Sequence, residues 1–276
     1  MNINKIAILG SGSMGTAILS GLLKAGFDAG SVSVSTKSLA SANKLATELG
    51  VTAYSAEQSA DANSLAAAGA DVVLVAVKPM YITQVLSEVS DALSSDALVI
   101  SVAAGITNAA MEAAVPNSVA VIRAMPNTPA IVGRAVTGLA RGSRVADAQL
   151  NSASSLFETV GKVVVLDESQ IDALTSISGS GPAYVFYLIE QLTSAALELG
   201  FDESTANLLV SETFLGASEL LVASGKAPAD LRRQVTSPNG TTERAIAVLS
   251  EGGLAQLFKA ATEAAVARAK QISAGN

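Results

Sequence analysis

Lys5-Ile-Ala-Ile-Leu-Gly-Ser-Gly-Ser-Met-Gly15 decides the fold of this chain. Ile6 to Leu9 is an unbroken apolar run, the composition of a strand buried on both faces of a parallel sheet. It ends in Gly10-x-Gly12-x-x-Gly15, and a segment of helical character, Thr16 to Ala25, follows at once. In such a turn Gly10 allows a tight exit from the strand, Gly12 lets a pyrophosphate approach the backbone, and Gly15 lets the helix lie close to the sheet. The new helix presents unpaired N–H groups and a positive dipole end to the phosphates. Strand, turn and helix in this order predict a dinucleotide site, with Gly10, Gly12, Ser13, Met14 and Gly15 at its centre.

Composition narrows the rest. The 276 residues suit two modest domains, and with 50% hydrophobic and 15% charged residues a sizeable core can be buried. The net charge is −7 and no basic cluster is present, which argues against a nucleic-acid partner. The chain contains neither cysteine nor histidine. Thiol catalysis, disulfides, imidazole relays and histidine metal ligation are thereby excluded, and no metal is expected. The first strand begins without a signal peptide, and no run of about 18 apolar residues escapes polar interruption. The expectation is a cytoplasmic protein with no membrane span.

Downstream, the strand signal recurs at Ser31–Ser35, Val51–Tyr54, Asp71–Val77, Ala97–Val102, Val119–Ala124, Val136–Ala140 and Gly161–Leu166. Helical segments lie between several of these: Ala40–Leu49, the second half of 56–68, and Tyr81–Leu93. The expected fold is α/β: a Rossmann-type, doubly wound, mostly parallel sheet of about eight strands. At the end of the second strand stands Ser35-Thr36-Lys37-Ser38, with hydroxyls and a cation but no acid. A carboxylate there would repel a 2′-phosphate, whereas this group can hold one, so NADPH is favoured over NADH. The third long strand closes on Ala76-Val-Lys-Pro79 at its carboxyl end, where ligands bind in open α/β sheets. Lys78 has two readings there, a cofactor contact and a surface lysine. Ala103-Ala104-Gly105 is a small-residue turn that lets a flat ring approach. Met125-Pro-Asn-Thr-Pro129 is a rigid turn expected to aim Asn127 and Thr128 outward, as ligand contacts or as a stiff connector.

From Asp167 helical periodicity takes over. Segments 172–177, a long helix to Leu199, Glu203–Ala223, Pro228–Gln234, one ending at Leu249 and one ending near Ile272 make an all-helical second half. The domains are therefore placed at 1–166 and 167–276. The helical half is too apolar for solitary helices, so part of its surface is expected to form a dimer interface. Ser237-Pro-Asn-Gly-Thr-Thr242 opens one of its helices, either as an anion site for a substrate carboxylate or as an ordinary N-cap. Ser180, in Gly179-Ser-Gly-Pro182, shares that ambiguity. No lysine lies between Lys162 and Lys226. A hydroxy-acid dehydrogenase needs a base there to take the alcohol proton, whereas a protonated imine needs only a hydroxyl donor and an anion cradle.

The chain resembles the pyrroline-5-carboxylate reductase family over essentially its whole length. The likeness rests on Gly10-Ser-Gly-Ser-Met-Gly15, Ala76-Val-Lys-Pro79, Met125-Pro-Asn-Thr-Pro129, Ser178-Gly-Ser-Gly-Pro-Ala-Tyr184 and Val235-Thr-Ser-Pro-Asn-Gly-Thr-Thr242, in that order. The resemblance implies hydride transfer from NAD(P)H to the C=N bond of 1-pyrroline-5-carboxylate, giving L-proline, the last step of proline biosynthesis. It also implies a homodimer through the helical domain, often assembled into decamers. Carried over by motif, Thr242 would hydrogen-bond the imine nitrogen, and Ser237 with the backbone of Gly240, Thr241 and Thr242 would hold the substrate carboxylate. Ser180 and Glu168 would border the substrate. Ser35, Thr36, Lys37 and Asn63 would lie near the adenosine ribose, and Ala76, Val77, Lys78, Pro79, Ala104, Asn127 and Gln234 would complete the cofactor site. Asn239 replaces a glycine of many members, and its tolerance of left-handed geometry is expected to keep the loop's shape.

Overall fold

A computed structural model describes residues 3–273; the outermost ends of the two sequence domains, 1–2 and 274–276, lie outside the described residues. The elements run β1 (Ile6–Leu9), α1 (Ser13–Lys24), β2 (Val32–Thr36), α2 (Leu39–Leu49), β3 (Thr52–Ser55), α3 (Ala62–Ala67), β4 (Val72–Val75), α4 (Ile82–Val89), β5 (Leu98–Ser101), α5 (Asn108–Glu112), β6 (Ala120–Met125), β7 (Ala135–Arg141), α6 (Asp147–Glu158) and β8 (Gly161–Val165). After them come α7 (Ile171–Leu174), α8 (Gly181–Glu198), α9 (Glu203–Ser224), α10 (Pro228–Gln234), α11 (Thr241–Glu251) and α12 (Leu254–Ser273).

The eight strands form one sheet in the order β3-β2-β1-β4-β5-β6-β7-β8. All pairs are parallel except β6–β7. β1 is central, and its alternating side chains build both cores. Ile6 and Ile8 pack on one face with Ile18, Leu19 and Leu22 of α1. Ala7 and Leu9 pack on the other with Ile82, Val85 and Leu86 of α4. Burial on both faces is why this strand reads as a continuous apolar run. The expected doubly wound, mostly parallel sheet is the sheet observed.

Two helices escaped the sequence reading: α5, five residues long, and α6, which precedes β8. Asp147-Ala-Gln-Leu-Asn-Ser-Ala-Ser-Ser-Leu-Phe-Glu158 is rich in serine, and only Leu150, Ala153, Leu156 and Phe157 mark its buried apolar stripe. Tertiary packing of those residues, Phe157 fully buried, holds a helix that propensity alone signals weakly.

The chain divides into two compact units, 1–180 with 265–276, and 181–264. The sequence boundary at Leu166 marks the end of the strands; residues 167–180 cluster with the sheet. In the first unit, α7 leads into a π-helical turn, Thr175–Gly179, closed by the Ser180 N–H donating to the Thr175 carbonyl at 2.8 Å. In the second unit α8 packs on α9, whose N-cap Asp202 accepts from the Thr205 N–H at 3.0 Å. Among the described residues of α8 and of α10 to α12 none is buried, and Phe186, Leu208, Val222 and Leu257 are each at least 62% exposed. Among the described residues α9 alone is long and apolar enough, by length and composition, to cross a membrane. The sequence reading found no such stretch because Ser211, Glu212 and Glu219 interrupt it; charges at mid-helix are costly in hydrocarbon.

Candidate functional site

The glycine turn sits at the carboxyl edge of the sheet. Gly10 has φ +90, and a Cβ there would lie 2.7 Å from Val77 Cγ1 and 3.0 Å from the Ala76 backbone. The turns after β1 and β4 thus touch, an approach open only to glycine. A Cβ on Gly15 would lie 2.5 Å from the Gly10 carbonyl oxygen, so α1 begins pressed against the turn. At Gly12 the situation reverses: a Cβ would meet nothing within 4 Å. Gly12 is the N-cap of α1 and supplies no side-chain acceptor to the helix's first N–H groups. Open space, free donors and a positive helix end fit a pyrophosphate. Ser13 is exposed and Met14 half-buried beside it.

The loop after β2 departs from its expected form. Ser35 and Thr36 are 2% and 7% exposed. Ser35 Oγ donates to Asn63 Oδ1 at 2.6 Å, and Thr36 Oγ1 donates to the Ser38 carbonyl at 2.8 Å. Asn63 Nδ2 in turn lies 3.3 Å from both carboxylate oxygens of Glu88. These hydroxyls were expected to be available to a phosphate; they turn inward because β2 runs on to Thr36 between two neighbouring strands. Lys37 remains exposed. The linear reading also missed an acid here. Glu57, from the loop after β3, accepts from the Leu39 N–H at 2.8 Å.

Around the mouth, the Ala76 N–H donates to the Leu9 carbonyl at 2.8 Å. Lys78 and Pro79 are exposed, with Pro79 starting a 3-10 turn. Ala104 is half-buried next to Gly105, which has φ +75 and whose lack of a Cβ leaves room for Ile272 from the end of α12. Asn127 points inward, a correction to the outward orientation expected of it. It is 8% exposed, its Nδ2 donates to the Ser178 carbonyl at 2.9 Å, and its Oδ1 accepts from the Val136 N–H at 2.9 Å. The amide thereby bridges the start of β7 and the π-helical segment.

Arg123 on β6, also missed, lies beneath this region with a side chain 4% exposed. Its Nη2 bonds Asp172 Oδ1 at 2.8 Å, and Nη1 lies 3.7 Å from Glu168 Oε1. Glu168 Oε1 also accepts from the Asn108 N–H at 2.7 Å, which caps α5. A buried arginine between two acids separated from it by more than forty residues leaves no linear signal beyond its place in an otherwise apolar strand.

In the second unit, Ser237-Pro238-Asn239-Gly240 forms a β-turn in which the Gly240 N–H donates to the Ser237 carbonyl at 3.0 Å. Asn239, at φ +60, is the only non-glycine with positive φ among the described residues. Asparagine tolerates that conformation better than most residues. Glu243 Oε2 accepts from the Asn239 N–H at 2.7 Å and braces the turn. Gly240 is the N-cap of α11 without a side-chain acceptor, so Thr241 and half-buried Thr242 begin a helix with open donors. Gln234, at the end of α10, accepts from Lys226 Nζ at 3.5 Å.

The fold brings together, in the first unit, the glycine turn, Ala76 to Pro79, Ala104 and the Ser35–Lys37 loop at one edge of the sheet. Ser237, Gly240, Thr241 and Thr242 gather separately in the second unit. A cavity of about 810 Å³ opens at the opposite edge, between α1 and α6, but no charged side chain lines it.

Two family models match the chain. "NADP oxidoreductase coenzyme F420-dependent" covers residues 5–105, and "Pyrroline-5-carboxylate reductase dimerisation" covers 168–272. The chain is 38% identical to the pyrroline-5-carboxylate reductase of Pseudomonas aeruginosa over 274 residues, covering 99% of this chain and 98% of that one. It is 38% identical to the reductase of Corynebacterium melassecola, covering 97% and 98%. Among solved structures, a pyrroline-5-carboxylate reductase from Coxiella burnetii superposes with a TM-score of 0.91 at 39% identity, covering 99% of each chain. The Plasmodium falciparum pyrroline carboxylate reductase with NADP bound superposes with a TM-score of 0.85 at 26% identity, covering 99% and 98%.

Proposed function

The chain belongs to the pyrroline-5-carboxylate reductase family, and from that premise we propose how its residues carry out reduction of 1-pyrroline-5-carboxylate to L-proline. The observation that carries the reading is the pairing of an uncapped glycine turn at Gly12 with a second uncapped helix start at Gly240. One is shaped for a pyrophosphate and the other for a small carboxylate. The cofactor, NADPH in preference to NADH, supplies the hydride when bound.

Gly10 to Gly15 hold the pyrophosphate, and Ala76 to Pro79 with Ala104 border the ribose and nicotinamide. Lys37 faces the adenosine ribose. The amides of Gly240 to Thr242 and the Ser237 hydroxyl receive the substrate carboxylate, and the Thr242 hydroxyl bonds the imine nitrogen. That bond holds the ring and polarises the C=N bond toward hydride addition, and no general base is required. Catalysis rests on alignment and on a fixed electrostatic cradle, which suits a chain without histidine. In the first unit, Glu168 holds the backbone of Asn108 and Asn127 that of Val136 and Ser178.

The helical half forms a homodimer through its exposed apolar faces, which is where Phe186 and Leu208 stand uncovered. The protein works in the cytoplasm. Phe186→Glu is expected to shift the sedimenting species toward monomer and to lower activity with it.

The direct test is NADPH oxidation with pyrroline-5-carboxylate, comparing wild type with Thr242→Ala. Loss of kcat by about a hundredfold with NADPH affinity intact supports the assignment. A wild-type protein that binds NADPH and leaves the imine untouched would overturn it.

A further inference from the structure

We propose that Glu57 sets how far this chain prefers a 2′-phosphorylated cofactor, by holding a carboxylate on an N–H donor, that of Leu39, which the phosphate would use. The inference rests on the dinucleotide reading above. An NAD-type unit carries its ribose-binding acid at the end of its second strand. Here that position reads Ser35-Thr36-Lys37-Ser38, without an acid. The fold supplies one from elsewhere.

β3 lies parallel beside β2, with Thr36 opposite Ser55, so the residues following the two strands leave the sheet together. The Ala56 N–H donates to the Thr36 carbonyl at 3.0 Å and the Glu57 N–H to the Lys37 carbonyl at 3.2 Å. Ser55 Oγ accepts from the same Glu57 N–H at 3.1 Å. With its backbone fixed in this way, Glu57 reaches across the loop, and Oε2 accepts from the Leu39 N–H. Leu39 is the first residue of α2, an 11-residue helix whose N-cap, Ser38, accepts from the Ser41 N–H at 3.3 Å.

The anion-binding end of α2 therefore already holds an anion. A 2′-phosphate entering this loop brings close to two negative charges. It meets Lys37, which attracts it, and Glu57, which repels it and competes for the same amide. A 2′-hydroxyl meets no repulsion, because it can donate a hydrogen bond to the carboxylate. Inward-turned Ser35 and Thr36 offer the phosphate no compensating donors. Glu57 thus does from the loop after the third strand what an acid at the end of the second would do, and it narrows the gap between NADPH and NADH.

Binding of the adenosine half reads this directly. Affinities of wild type, Glu57→Gln and Glu57→Ala are measured for 2′,5′-ADP and 5′-AMP by calorimetry, and for NADPH and NADH by fluorescence. Gln keeps an acceptor for Leu39 while removing the charge. The expected result is 2′,5′-ADP and NADPH binding tighter in both variants, on the order of tenfold at low salt and less at high salt. Affinity for 5′-AMP and NADH should stay level or fall. Equal shifts for phosphorylated and unphosphorylated ligands, or none, would overturn the proposal and leave Glu57 a helix cap. If wild type binds none of the four, it is the dinucleotide reading that fails.

Discussion

Arg123 and Asp172 form a hydrogen-bonded ion pair at 2.8 Å, with side chains 4% and 16% exposed, beneath the carboxyl edge of the sheet. Glu168 completes the cluster and caps α5. β6 is thereby tied through one guanidinium to the stretch that follows β8 and, by way of Glu168, to the stretch that follows β5. Arg123→Met removes the cation and leaves two acids facing each other. Expected is a loss of about 3 kcal/mol in urea unfolding. Replacing Asp172 by Asn in the same background should recover part of it, since the uncompensated charge is then gone.

Two glycines of one turn are expected to fail differently. Gly12→Val adds a side chain in open space, so the melting temperature should change little while NADPH binding is lost. Gly15→Val drives a branched side chain into the Gly10 carbonyl, so the fold should lose about 2 kcal/mol or more, with or without cofactor. Thermal melts beside NADPH fluorescence titrations separate the two. Equal melting losses for both variants would remove the case that the space at Gly12 is reserved for a ligand.

Asp202, at the start of α9, is a carboxylate held far below its ordinary pKa by hydrogen bonds from the Ser204 and Thr205 hydroxyls and the Thr205 N–H. Its folded pKa lies below its unfolded one. Its contribution is therefore fully present above the unfolded value of about 4 and is lost as pH falls from there toward the folded value. Asp202→Asn keeps a cap and removes the titration. The variant should melt below wild type near neutral pH, and the two curves should converge in acid. A gap independent of pH would show that the charge is not what stabilises this helix start.

Much of this was legible in the linear sequence. Ile6 to Leu9 is buried on both faces and so could contain nothing polar. Gly10, Gly12 and Gly15 are fixed by backbone approach and space, and Asn239 by a left-handed turn. Local rules of this kind act over a few residues, and a string of residues displays them. α6 was not legible, because its amphipathic stripe is thin and its helix is held by packing. Nor was the inward turn of Asn127, which depends on Val136 and Ser178 arriving at its two ends.

The sequence by itself determined the strand–turn–helix unit, the mostly parallel sheet, the succession of sheet and helices, and a chemistry without imidazole or thiol. Only the tertiary structure decided which polar groups remain free. The Ser35 hydroxyl donates to Asn63, brought in on α3, and Glu57 stands against α2 because parallel β2 and β3 exit side by side. Propensity and spacing are properties of neighbours in the chain. Hydrogen-bond satisfaction and charge are properties of neighbours in space, and they are set once the sheet has brought distant loops to one edge.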